Sequence, residues 1–276
     1  MLDREWEPGS INRARQVQWR AGGKGNNVAR TVRVLGQPVT AVGFYGGPTG
    51  LSVRSALEAG GIPLLAEPAR GDTRTCLTIV AGSGTITEIR DPGPKVEPNV
   101  ADRLLQRLVS AVAPNDWVTL SGSLPQGLDA DVWPRWIRAL NARCRGVLVD
   151  TSGANLSAAA SANPTLLVPN RSEWEEAQLE LVRPLVITEG PAGVTWYPAE
   201  GHSLQKIRPP KVAAQNTVGA GDVLLGGLVA RLAQGDGWEY ALRFAVAAAT
   251  ASVTSSAVAD FDPALAQSLV SRVTME

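Results

Sequence analysis

The chain of 276 residues is 44% hydrophobic, enough to bury a full core, and its size suits one α/β domain over residues 1–276. Its 26 basic and 26 acidic residues balance without long runs of either sign, which argues against a nucleic-acid binder that neutralises phosphates and favours small-molecule chemistry. Cys76 and Cys144 lie far apart without zinc-ligand spacing, no apolar run reaches membrane-spanning length and residues 1–10 carry no secretory pattern, so a cytoplasmic protein with no membrane partner is expected.

In chain order, residues 4–20 read as a hairpin, with Pro8-Gly9-Ser10 at the turn and Val17 and Trp19 alternating with polar neighbours. The run Ala-Gly-Gly-Lys-Gly-Asn-Asn at 21–27 feeds a helix over 28–35, where Val28, Val32 and Leu35 recur at helical spacing until Gly36. A strand at 39–45, a helix at 51–59 closed by Gly60-Gly61 and a short strand at 62–66 begin a βαβ rhythm. Residues 73–80 and 85–90 interrupt it as a second hairpin about Gly82-Ser83-Gly84, so the two hairpins suggest a small separate sheet. The rhythm resumes with helices at 101–112, 129–142 and 154–161 and strands at 117–120, 147–150 and 166–168. These strands are short and apolar throughout, as in a parallel sheet covered on both faces. Strands at 184–188 and 193–197 follow, and after 216 the chain reads as helical over 223–233, 238–256 and 263–273.

In a doubly wound sheet the loops at the carboxyl ends of the strands gather the ligands, which sets 121–125, 151–153, 170–173 and 188–190 along one ridge. Asn-Thr-Val-Gly-Ala-Gly-Asp at 216–222 shares it. Gly219 and Gly221 open backbone N–H groups to a ligand, and the following helix presents its positive end, so this turn suits an anion. Asp222 has two readings there: an acidic residue capping a first helical turn, or a base that takes a proton from a nucleophile attacking the anion. The only histidine, His202, leaves little from which to build a Ser-His-Asp or Cys-His centre.

Five stretches, in order over nearly the whole chain, then carry a resemblance: Gly-Gly-Lys-Gly-Asn-Asn-Val-Ala at 22–29, Thr-Arg-Thr at 73–75, Ser-Gly-Ser-Leu-Pro at 121–125, Asn-Arg-Ser-Glu at 170–173 and the run at 216–222. Together they resemble the phosphofructokinase B branch of the ribokinase-like carbohydrate kinases. The runs at 22–25 and 85–94 look most like 1-phosphofructokinases and tagatose-6-phosphate kinases. The resemblance implies an α/β, ribokinase-like fold with a central, mostly parallel sheet, helices on both faces, and a small β-sheet lid formed by residues 4–20 and 73–90. It implies ATP- and Mg2+-dependent phosphorylation of a phosphorylated ketohexose, namely fructose 1-phosphate, fructose 6-phosphate or tagatose 6-phosphate, in a homodimer paired through the lid.

By the same resemblance, Asp222 matches the catalytic base, and the backbone of Gly219, Ala220 and Gly221 matches the anion hole for the transferring phosphoryl group. Asn170 and Glu173 match the Asn-x-x-Glu motif that organises magnesium and phosphates largely through water; a capping box made by the same pair is the other reading. Asp3, Gly23, Lys24, Asn27, Arg74 and Ser123 match the sugar site. Asp3 and Asn27 would accept hydrogen bonds from hydroxyls, and Lys24 and Arg74 would hold the phosphate already present. Thr188, Gly190 and Gly193, with Asn170, match the approach to the nucleotide.

Three departures stand out. The family's first strand would end near Asp3, only two residues from Met1, so the sheet is expected to lack that strand. Val168 replaces a lysine before Pro169-Asn170, and the short segment at 173–184 leaves out a peripheral helix. A kinase of an unphosphorylated sugar or nucleoside, or a catalytically weak sugar-phosphate binder, are the alternative readings of such a chain.

Overall fold

The structure is a computed structural model that describes residues 1–2, 4–182, 184–199 and 202–276. After α1 (Lys24–Val34), β1 (Ala41–Tyr45) and β2 (Leu64–Pro68) pair in parallel about α2 (Gly47–Ala59), and β3 (Cys76–Val80) and β4 (Ile86–Arg90) form an antiparallel hairpin. Then α3 (Pro98–Ala111), β5 (Trp117–Ser121), α4 (Val132–Asn141), β6 (Gly146–Asp150), α5 (Ala154–Ala160), β7 (Leu166–Leu167), α6 (Arg171–Ala177) and β8 (Leu185–Thr188) alternate. β9 (Val194–Tyr197), β10 (Gln205–Arg208), α7 (Ala220–Ala233), α8 (Trp238–Ser252), α9 (Pro263–Leu269) and β11 (Thr274–Met275) complete the chain. The main sheet runs β11-β10-β9-β8-β7-β6-β5, parallel from β5 to β8 and antiparallel beyond.

The strand period of two sorts side chains onto two cores. Val147, Val149, Leu167, Leu185 and Ile187 join one with Leu104, Ile137 and Leu156 from the helices between strands. Leu148, Leu166 and Val186 join the other, with Leu225 and Leu228 of α7 and Phe244 of α8. A helix apolar all round belongs inside, and α7 is buried from Asp222 through Ala230.

Residues 4–20 do not form the expected strand pair. Their turn is held instead by Asn12, which accepts from the Glu7 amide and donates to the Glu7 and Ser10 carbonyls, while Leu2 bridges to Ala14. Val17 and Trp19 are 64% and 84% exposed, so no apolar face rewards a second strand here. Leu2 N–H does donate to Val80 O at 2.9 Å, and Gly82 N–H to Arg4 O at 3.3 Å, so the segment lies along the β3–β4 hairpin. Other differences are at element ends: α7 begins at Ala220, not 223, and α8 stops at Ser252, not 256. β10 was hidden by charge, since only its Ile207 is buried, and β11 is two residues beyond the run read as helix to 273.

α1 crosses α7 closely because Gly226 faces Thr31: a Cβ at position 226 would stand 2.6 Å from Thr31 Cβ and 3.1 Å from Val28 O. Gly226→Val is expected to overpack this crossing and cost about 1–3 kcal/mol, read as a lower urea midpoint at unchanged slope. A midpoint equal to that of the parent chain would show that the helices yield there at no cost.

Candidate active site

Two glycine turns open the two crossing helices. Gly23 caps α1 at φ 103° and Gly219 caps α7 at φ 81°, a left-handed backbone that other residues adopt at a cost. At Gly219 space forbids a side chain as well, because a Cβ would come within 2.8 Å of Ala259 Cβ. Asn216 shapes the second turn from within: its Oδ1 accepts from Val218 N–H at 2.9 Å and its Nδ2 donates to Ser256 O at 3.1 Å. Ala220 N–H is directed to Thr217 O at 3.3 Å, whereas the N–H groups of Gly219 and Gly221 meet no backbone acceptor among the described residues. The turn therefore presents free donors at the positive end of a buried helix.

Asp222 stands in the first turn of α7, only 6% exposed, and accepts from Asn27 Nδ2 at 2.6 Å. Asn27 Oδ1 in turn accepts from Arg30 Nη2 at 2.5 Å, which fixes the amide with its NH2 toward the carboxylate. One turn earlier on α1, Lys24 Nζ donates to Asp150 Oδ1 at 2.9 Å and lies 3.9 Å from Glu173 Oε1. Burial, assisted by the charge of Asp150, pushes the Asp222 carboxyl up to about 7 against the pull of Asn27, Lys24 and Arg30. Burial also lifts the Asp150 carboxyl above its usual range, more than Lys24 lowers it. Burial opposes the charge on Lys24, yet Asp150, Glu173 and Asp222 together raise its pKa.

Asn170 and Glu173 make the capping box: Asn170 Oδ1 accepts from Glu173 N–H and Glu173 Oε2 accepts from Asn170 N–H, both at 2.9 Å. Only Oε2 is used, so Oε1 stays turned toward Lys24 and the cap leaves a carboxylate oxygen for other work. Among the described residues no three His, Cys, Asp or Glu side chains cluster as a ligand cage. Oxygen donors from Glu173, Asn170 and Asp150 still suit magnesium, which keeps most of its waters and leans on substrate phosphates.

A cavity of about 590 Å³ lies beside this box, lined by Asn170, Thr188 and Gly190 together with Arg171, Lys206 and Arg208. Gly193, at φ 95°, does not line it; a Cβ there would meet Ile207 O at 2.0 Å, so it lets the β8–β9 turn press on β10. Arg74 reaches Ser123 Oγ at 3.4 Å, and a Cβ at the neighbouring Gly122 would stand 3.8 Å from Lys24 Cβ, which sets these sugar-site candidates near the α1 turn. Asp3 lies outside the described residues. Val168 is buried in the core and offers the cavity nothing, whereas Lys206 and Arg208 bring positive charge to it from β10. Sequence reasoning missed these two and Asp150, although an acid closing the apolar run Gly-Val-Leu-Val is a signal at a strand's carboxyl end.

Comparison with known proteins gives the family of the chain. The pfkB family carbohydrate kinase pattern matches residues 2–265. The chain is 31% identical to 1-phosphofructokinase of Escherichia coli strain K12, over 99% of this chain and 92% of that one. The crystal structure of phosphofructokinase-2 from Escherichia coli in complex with fructose-6-phosphate superposes with a TM-score of 0.86 at 27% identity, covering 98% of this chain and 93% of that one. A possible 1-phosphofructokinase from Thermotoga maritima shares the fold, with a TM-score of 0.85 at 21% identity over 99% and 93% of the two chains.

The raised Asp222 pKa has a signed effect on stability. With about 7 in the fold against an ordinary 3.8, the folded chain holds a proton that the unfolded chain has lost, so this carboxyl destabilises the fold progressively as pH rises between those values. Asp222→Asn keeps an acceptor for Asn27 and is expected to stabilise the fold at pH 8, by up to about 4 kcal/mol, with the gain vanishing toward pH 4. Urea unfolding at both pH values checks this, and a gain independent of pH would contradict it.

Proposed function

The chain belongs to the pfkB family of carbohydrate kinases and is a phosphotransferase acting on a sugar hydroxyl, and we propose that its acceptor is a phosphorylated ketohexose, fructose 1-phosphate, fructose 6-phosphate or tagatose 6-phosphate, with ATP as donor. The observation that carries this reading is the buried Asp222 carboxylate at the mouth of a donor-rich turn, with Lys24 in the same charge cluster. In this reading ionised Asp222 takes the proton from the acceptor hydroxyl as it attacks, a contribution of about 10² to 10⁴-fold. The N–H groups of Gly219 and Gly221 hold the charge on the transferring phosphoryl group, which needs positioning and electrostatic support more than covalent help. Lys24 and Arg74 hold the phosphate already on the sugar, and Ser123 orients Arg74. Asn170, Thr188 and Gly190, with Lys206 and Arg208, line the nucleotide's cavity. Magnesium, when bound, would be held by Glu173 and Asn170 largely through water, and supplies charge neutralisation between phosphates. The names of the two Escherichia coli relatives support an acceptor of this class.

The same reading includes a homodimer. Leu77 and Ile89, paired across the hairpin, are 52% and 51% exposed, an apolar outer surface suited to a second copy of the lid.

Turnover of ATP is expected with at least one of the three sugar phosphates, and no transfer to any of them sinks the proposal. Asp222→Asn is expected to lower kcat by at least 10²-fold while KM moves less than about threefold. In the parent enzyme kcat/KM should rise with pH and reach half its plateau near 7, because the base works only when ionised. For the dimer, Leu77→Glu should shift the sedimenting species to a monomer; an unchanged mass would remove the lid surface from the interface.

A further inference from the structure

Lys24 and Arg74, the two cations assigned to the phosphate on the acceptor, stand on separate parts of the fold. Lys24 opens α1, which crosses α7, whereas Arg74 precedes β3 of the small hairpin. Between them lies the carboxyl end of β1, Tyr45 and Gly46, and β1 pairs with β2 in a sheet of its own.

Tyr45 reaches the α1 turn. It is 9% exposed, and its hydroxyl donates to Asn26 Oδ1 at 2.9 Å, while Asn26 Nδ2 donates to Gly22 O at 2.8 Å. A carbonyl can only accept, so the Gly22 bond fixes which way the amide faces and leaves Oδ1 to the tyrosine. Burial holds the Tyr45 hydroxyl pKa above its usual value, so it remains a donor at neutral pH. α1 has no side-chain cap of its own, and the two bonds of Asn26 hold the glycine turn that carries Lys24.

Gly46 reaches the other cation. Thr73 N–H donates to Gly46 O at 2.8 Å, Gly46 N–H donates to Thr73 Oγ1 at 3.0 Å, and Thr49 Oγ1 donates to Thr73 O at 2.7 Å. A Cβ at position 46 would stand 2.1 Å from Gly71 O and 2.5 Å from Ala69 O, so the segment ahead of Arg74 is pressed onto the end of β1.

We propose that Tyr45 and Thr73 are positioning residues that fix Lys24 and Arg74 relative to one another, and so make the site selective for an acceptor that already carries a phosphate. Two cations grip one phosphate only at a set separation, and the planar fork of arginine tolerates little displacement. An unphosphorylated sugar asks nothing of that separation. Both roles presuppose the phosphorylated acceptor proposed above.

The test is steady-state kinetics of the intact chain with the best acceptor among fructose 1-phosphate, fructose 6-phosphate and tagatose 6-phosphate. Tyr45→Phe and Thr73→Val are each expected to raise KM for the sugar phosphate at least about threefold, as one lost neutral hydrogen bond would, with kcat and KM for ATP within about twofold of the parent. Thr73→Ser keeps the hydroxyl and should match the parent within about twofold. Tyr45→Phe added to Asn26→Leu should cost nothing further, because both break the same link. If Thr73→Val does not fold, Tyr45→Phe and its pairing with Asn26→Leu decide. A smaller rise in the sugar-phosphate KM of Tyr45→Phe, or an equal change in kcat or in KM for ATP, overturns these roles alone. A parent chain that phosphorylates none of the three sugars overturns the acceptor and these roles together.

Discussion

The close crossing of α1 over α7 is the constraint on which the site depends. Gly226 gives up its side chain so that Thr31 and Val28 can approach, and the two helices then bring their glycine-led first turns to one place. Neither turn carries a complete function alone. α7 provides free N–H groups and a carboxylate, whereas α1 provides the amide that orients that carboxylate and the lysine that counters its charge. The 2.6 Å contact between Asn27 and Asp222 joins residues 195 positions apart, so tertiary packing, and not local sequence, makes the pair.

Around this crossing the charge is unbalanced. Asp150, Glu173 and Asp222 surround Lys24, and burial strengthens every interaction among them. The free N–H groups of the α7 turn add partial positive charge directly before Asp222. Negative side chains and positive backbone donors thus meet around one helical turn.

Much of this was legible in the chain. The βαβ rhythm from 99 onward appears as written because strands such as 146–150, buried along their whole length, can only be interior. The site stretches were readable because glycine at 219 and 23 is required by backbone angle, a need that shows in sequence. What stayed hidden has physical causes. In residues 4–20 apolar Val17 and Trp19 alternate with polar neighbours, but both stay exposed, and the segment settles beside the β3–β4 hairpin as a turn held by Asn12. β10, with Gln205, Lys206 and Arg208 around one buried isoleucine, reads as a polar loop until β9 and β11 flank it. Asp150 was passed over because its role comes from Lys24, 126 positions away. β1–β2 and β5 stand in separate sheets, an arrangement that a periodicity argument cannot reveal.

The ion pair between Lys24 and Asp150 bears on how such a site chooses its ligands. An anion that recruits Lys24 must take it from a buried carboxylate 2.9 Å away, so binding is an exchange of partners and not the addition of one. The free energy gained is then a difference between two attractions of similar size, and a generic anion gains little from it. Only a ligand that brings further contacts, or a cation that takes over Asp150, tips the exchange. The pair therefore contributes less to affinity than to selectivity, acting as a threshold that weakly matched anions do not cross.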